Sequence, residues 1–297
     1  MRRLTDGVLG PTRRGLVMNQ LRFHLWLTRA AWIFLAALAL AAIAAPWLPL
    51  EDYRSMNADT RLVAPNWTSA PVLGTDAQGR DMLARLLWGA RISLFVGLFG
   101  TIVAMLVGVP YGAIAGFRGG RWDRTMMRLA DALESIPMVV FVLFLMSILQ
   151  EYRAELAIVG FGRLQLFLVA VGLLFWLPTA RVARAEALRI RQTPYVMAAR
   201  ASGMRGWPLL RAHILPNMMP ALQVMLLLTL PRVILMEAFL SFLGLGVEPP
   251  AVSWGGLASD GLAAMNPLVG SSWLMILPSG ALALTLLALQ RVGRSTD

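Results

Sequence analysis

Three stretches of this chain run without a charged side chain for 21, 26 and 30 residues: Ala30–Leu50, Ile92–Phe117 and Gly261–Gln290. A helix rises 1.5 Å per residue, so about 20 apolar residues cross a hydrocarbon core of about 30 Å. Each run is long enough to span a bilayer. Two shorter runs, Ser135–Gln150 and Leu164–Ala180, have 16 and 17 residues and must borrow flanking residues or sit in thinner bilayer. Ile214–Met236 is interrupted only by Arg232. The spacing predicts an all-α integral membrane protein with six transmembrane helices. Composition agrees: 58% of the 297 residues are hydrophobic and 14% charged, against about 45–50% and about 25% in soluble domains. The first run is too long and too far inside the chain for a cleavable signal. Its exit, Pro46-Trp47-Leu48-Pro49, reads as an interfacial boundary rather than a small-residue cleavage site.

The charges divide by side. All 27 basic residues are arginines and the net charge is +11. Nineteen arginines fall in the N-terminal tail, the loops after the second and fourth spans, and the C-terminus; seven fall in the alternate loops. Positive loops stay cytoplasmic, so both termini are expected inside. The expected division is a cytoplasmic tail over 1–29, a first transmembrane helix over 30–50, and an extracytoplasmic loop over 51–91. A core over 92–291 follows, with a cytoplasmic loop at about 181–213, and a tail over 292–297. Arginines in short loops between apolar runs point to the lipid bilayer as partner and away from nucleic acid.

Several chemistries are excluded outright. Without cysteine there is neither disulfide nor thiolate site, and two histidines, His24 and His213, cannot build a multi-histidine metal centre. Without lysine there is no GxxxxGK[ST] phosphate loop. No cofactor is expected on this chain, and any ATP must be bound by another. No catalytic constellation is visible.

The loop after the fourth span carries the most information. Thr193 and Pro194 read as N-cap and first residue of a helix. Gly203 reads as its left-handed terminator, and Arg200 suits the negative end of its dipole. Ala198 and Ala199 leave a bare face that another surface could approach. Spacing alone leaves a docking helix and an ordinary basic turn both open.

Met197-Ala198-Ala199-x3-Gly203, followed by His213-Ile214-Leu215-Pro216-Asn217, resembles the "EAA" loop of ABC importer permeases, with Met197 where that family usually has Glu. Leu73-Gly74-Thr75-Asp76-Ala77-Gln78-Gly79-Arg80-Asp81 resembles the GTDxxGRD signature of the C-type membrane subunits of dipeptide and oligopeptide importers. Taken by itself that segment is a turn, built either for structure or for substrate contact. It leads into Leu83, Leu86 and Leu87, spaced as an interfacial amphipathic helix with Arg80, Arg85 and Arg91 elsewhere and Trp88 as anchor. Gly116-Phe117-Arg118-Gly119-Gly120-Arg121-Trp122-Asp123, with Asp131 and Ser135-Ile136-Pro137, resembles the family's loop between spans two and three. It is expected to be structural, with Asp123 or Asp131 pairing with nearby arginines. Glu237-Ala238-Phe239-Leu240-Ser241-Phe242-Leu243-Gly244-Leu245-Gly246, with Pro249-Pro250 and Ser253-Trp254-Gly255, resembles the oligopeptide branch. Arg232 and Glu237 are the ionisable residues closest to a span's interior; they face either a pathway or partner, or water at the outer interface.

The resemblance implies a type I ABC importer permease (MetI-like) fold in a bacterial inner membrane. It further implies a second homologous permease, two cytoplasmic ATPases and an extracytoplasmic peptide-binding protein as partners. The helix over 194–203 would be the coupling helix seated in a groove of the ATPase, rocking the permeases between inward and outward states while peptide crosses between them. Nickel or another small solute is the alternative cargo within the resemblance. An ion-coupled secondary transporter is the alternative outside it, and would need intramembrane carboxylates or unwound helices.

Overall fold

A computed structural model describes residues 11–68, 70–152, 163–173, 175–265 and 270–294. Arg2, Arg3 and Arg153 of the charge count lie outside the described residues. Among the described residues there is no strand, only a single bridge between Thr75 and Asp81. The order is α1 (Pro11–Ala44), α2 (Met82–Arg118), α3 (Gly120–Glu134), α4 (Met138–Glu151), α5 (Arg163–Gly172), α6 (Trp176–Arg191), α7 (Pro194–Ala201), α8 (Leu215–Phe242), α9 (Trp254–Ala263) and α10 (Trp273–Gly293).

Four segments are long and apolar enough to cross a membrane unaided: Phe23–Trp47, Met82–Arg118, Trp207–Phe242 and Trp273–Gly293. The two shorter expected spans correspond to α4, with 14 residues, and to α5 and α6, which follow one another across a break. Three expectations change. The helix of the first span begins at Pro11, so residues 11–29 of the expected tail continue it as helix, and His24 sits within α1. The amphipathic turn at Leu83–Leu87 is no separate interfacial helix but the start of α2, which runs unbroken for 37 residues. The 30-residue uncharged run is not one helix either. It is divided between α9 and α10, which cross where a Cβ on Gly261 would lie 2.5 Å from the Leu274 carbonyl. An absence of charge marks what lipid or protein can bury, not where a helix is continuous.

The centre of the molecule is α2. Gly108, Gly112 and Gly116 bring its backbone onto α6, where added Cβ atoms would fall 2.5 Å from the Trp176 oxygen, 2.0 Å from that of Ala180 and 2.5 Å from that of Arg184. The paired numbers rise together, so α2 and α6 run parallel. Lipid tails are as apolar as leucine, so close backbone approach and dispersion, rather than expulsion of water, hold such helices together. On another side Gly97 and Gly100 receive Ile234 and Val233 of α8, which therefore runs antiparallel. Helix α10 packs against α1, α8 and α9. Arg291 reaches back to His24, with Nη2 2.7 Å from Nδ1.

Two ends result. One gathers the start of α2, the ends of α1 and α8, and α9; we call it the Asp76 end. The other gathers the ends of α2 and α6, the start of α8, and α7; this is the Pro194 end.

Candidate functional site

At the Pro194 end the expected short helix forms as α7. Thr193 stands at the N-cap in extended conformation, but its hydroxyl turns back to the Ile190 carbonyl (2.6 Å) instead of capping. Pro194 fills the first position, where a missing N–H costs nothing. At the far end Gly203 adopts φ +93°. Its N–H bonds the Arg200 carbonyl (3.0 Å) and that of Met204 bonds Ala199 (3.0 Å), the paired arrangement that closes a helix through a left-handed residue. Val196 is buried among Ile190, Leu209, Leu210 and Ile214, with Ala199 partly packed on the same cluster. Tyr195, Met197, Ala198 and Arg200 are exposed. The guanidinium of Arg200 lies over the Phe117 ring, 5.8 Å from its centroid. One side of α7 is thus glued to the bundle and the other is open.

His213 is half-buried and Pro216 exposed, in the segment whose Ile214 packs with Val196. Pro216 cannot donate to the Ala212 carbonyl and crowds it. The chain widens into a π turn over Leu210–Ile214 just before, which accommodates such a defect. Asn217 closes the turn by donating to the His213 carbonyl (2.7 Å).

The segment read as a loop after α2 is helix α3, which packs on α2 and is tied to α6 by ion pairs. Its acids pair with arginines far along the chain rather than with its own. Asp123 receives a two-pronged contact from Arg184, Nη2 to Oδ2 being 2.7 Å, and Asp131 receives Arg181 at 2.8 Å. The hydrogen bond to Asp123 holds the Arg184 guanidinium above its ordinary pKa. The guanidinium therefore keeps its charge throughout the working range.

At the Asp76 end the Gly74–Asp81 segment is a compact turn. Gly74 and Gly79 both take positive φ, and a Cβ on Gly79 would lie 1.8 Å from the Asn57 oxygen. The Thr75 hydroxyl accepts from the Val63 N–H (2.9 Å) and donates to the Thr60 carbonyl. Asp76 accepts from the backbone of Gln78 (2.8 Å) and Arg80 (3.0 Å) and pairs with the side chains of Arg80 (2.6 Å) and Arg85. Asp81 caps α2 through the N–H groups of Leu83 (2.7 Å) and Ala84 (3.3 Å). Arg85, expected to face away, is 3% exposed and ties Asp76 to Asp260 of α9 (3.1 Å). Sequence gave no signal for that last contact, 175 positions apart.

Glu237 is fully buried. Ser93 of α2 donates to one carboxylate oxygen (2.8 Å) and Ser241 to the other (2.7 Å); the Trp254 N–H donates to Ser93 (3.2 Å). Three helices meet in this knot. Arg232 is not part of it. It points instead to a cavity of about 310 Å³ bounded by the ends of α3 and α6. The two residues that sequence grouped together thus serve different places. Sequence reasoning also missed the glycines of α2, although Gly108, Gly112 and Gly116 repeat every four residues, a legible sign of close helix contact.

Residues 108–292 match the family described as "Binding-protein-dependent transport system inner membrane component". The chain is 37% identical over 264 residues to the oligopeptide transport system permease protein OppC of Bacillus subtilis (strain 168), covering 88% of this chain and 80% of that one. It is 37% identical over 265 residues to OppC of Escherichia coli (strain K12), covering 89% and 83%. It is 39% identical over 220 residues to the dipeptide transport system permease protein DppC of B. subtilis, covering 74% and 65%. A chain of the inward-facing MetNI methionine ABC transporter shares the fold, with TM-score 0.56 and 21% identity, covering 73% of this chain and 98% of its own length.

Proposed function

This chain belongs to the binding-protein-dependent transport system inner membrane component family, and on that premise we propose that it is the permease subunit of an ATP-driven importer of oligopeptides or dipeptides. A second, related permease would complete the translocation pathway. Two ATPase chains would bind and hydrolyse the nucleotide, and a binding protein would deliver peptide at the Asp76 end. The Pro194 end would face the cytoplasm of a bacterial cell.

The observation that carries the coupling role is the two-sided character of α7. A helix of 8 residues is too short to be stable alone. Yet it is closed at Gly203, anchored through Val196, and presents Tyr195, Met197, Ala198 and Arg200 outward. A push on its open side is transmitted to the ends of α2 and α6 through Phe117 and Ile190. Met197 replaces a carboxylate in the family's pattern with an adaptable thioether, so contact there would be apolar.

The test is reconstitution in proteoliposomes with the partner permease, the ATPases and the binding protein. Peptide uptake should require ATP, and Ala198→Trp should abolish peptide-stimulated ATP hydrolysis while leaving the assembled complex intact. Undiminished coupling in that variant would remove the docking role. Uptake by this chain alone, driven by an ion gradient, would overturn the importer reading. Ion coupling would use an intramembrane carboxylate or an unwound helix, and the buried Glu237 carboxylate is engaged by two serines.

A further inference from the structure

Arg232 occupies an expensive position. Its neighbour Val233 packs on Gly100, the central residue of the Met82–Arg118 helix, nine residues and therefore about 13 Å inside the level of Arg91. It lies ten residues, about 15 Å, before the end of α8 at Phe242, well inside an apolar helix. Among the described residues it has no ion pair and no hydrogen bond, although it is exposed. Leu235, Phe239 and Leu243 continue the same exposed stripe, so no acid on α8 compensates it. The cavity beside it, about 310 Å³, is walled by Ile136, Pro137, Phe141, Phe175 and Trp176. The one acid at its rim, Glu134, is engaged by Arg181.

A guanidinium at this depth needs an anion, and its planar fork matches a carboxylate. The cavity is at the lower limit for small-molecule pockets, about 300 Å³; it suits one apolar residue rather than a whole peptide. Resting on the peptide-permease reading, we propose that Arg232 receives the C-terminal carboxylate of the transported peptide while the last side chain enters the Ile136–Phe175 cavity. Arg232 would thus be a specificity-determining residue inside the membrane, favouring peptides with a free carboxylate and an apolar last residue.

The experiment uses the complete reconstituted complex and peptide pairs differing only in a free or amidated C-terminus. Binding-protein affinity for each peptide is measured separately, since it is unaffected by changes in this chain. Arg232→Gln should slow uptake of the free acid about tenfold or more, as loss of a charge-assisted bond implies, and leave the amide unchanged. Arg232→Lys should recover most of the rate. Ile136→Trp, which fills the cavity, should slow peptides ending in Phe more than those ending in Gly. Equal loss for acid and amide in Arg232→Gln, or no loss for either, overturns the assignment. So does a loss that follows the anionic phospholipid content of the vesicles instead of the peptide, which would make Arg232 a lipid anchor. If the unaltered complex takes up no peptide, the peptide reading itself fails, an outcome distinct from all of these.

Discussion

Arg85 shows how much one side chain's role depends on what surrounds it. Periodicity sets it off the apolar face of Leu83, Leu86 and Leu87, which suggests a solvated charge. Instead the Gly74–Asp81 turn folds over it, and burial is offset by Asp76 and Asp260. Removing one partner of a buried pair strands the other, at a cost of about 3–5 kcal/mol. Asp76→Ala should therefore lower the midpoint of thermal unfolding in detergent micelles strongly. Asp260 is 59% exposed, so Asp260→Ala should cost only about 0–1 kcal/mol. Equal shifts for the two variants would contradict this description of the cluster. Gly203 has a local role of another kind. At φ +93° a β-branched residue costs about 1–3 kcal/mol, so Gly203→Val should speed hydrogen exchange at the amides of Ser202, Gly203 and Met204, leaving those of α2 unchanged.

Among the elements, the α2–α6 pair determines the most. Its contact is made by backbone, so it tolerates no side chain at the crossing points. Gly112→Leu should prevent accumulation of folded protein, monitored by size-exclusion profile after extraction. Gly280 of α10, where an added Cβ meets nothing within 4 Å, should accept leucine without change. The small-residue repeat was legible in the sequence; its partner was not, because Ala180, Ala183 and Ala187 become a complementary stripe only once α6 lies parallel to α2. Helix α3 has a similar history. The segment is expected only to be structural, yet Gly119 and Gly120 take positive φ and the chain is helical from Gly120 on. Its acids find Arg181 and Arg184, about one helical turn apart on α6.

For the molecule as a whole, the two ends differ in chemistry: arginine-rich contacts and α7 at one, an acid-centred turn closed by α9 at the other. The proposed orientation can be read directly, because the chain has no cysteine of its own. Met56→Cys, at an exposed position of the Asp76 end, should react with a membrane-impermeant maleimide added to intact cells. Arg205→Cys, exposed at the Pro194 end, should react only after permeabilisation. The reverse pattern would overturn the orientation and the coupling role with it.

The sequence alone established that this chain lives in lipid, that it is all-helical, and that a short helix starts at Pro194 and is closed at Gly203. These follow from local physics: apolar length, the missing N–H of proline, and the left-handed freedom of glycine. Its motifs also pointed to a family to which the chain indeed belongs. Tertiary structure decided what lies far apart in sequence. Arg85 meets Asp260, Ser93 meets Glu237, and Arg232 is left facing a cavity instead of joining Glu237. Charge partners are chosen by which helices cross and at what height, and no local pattern along the chain records that choice.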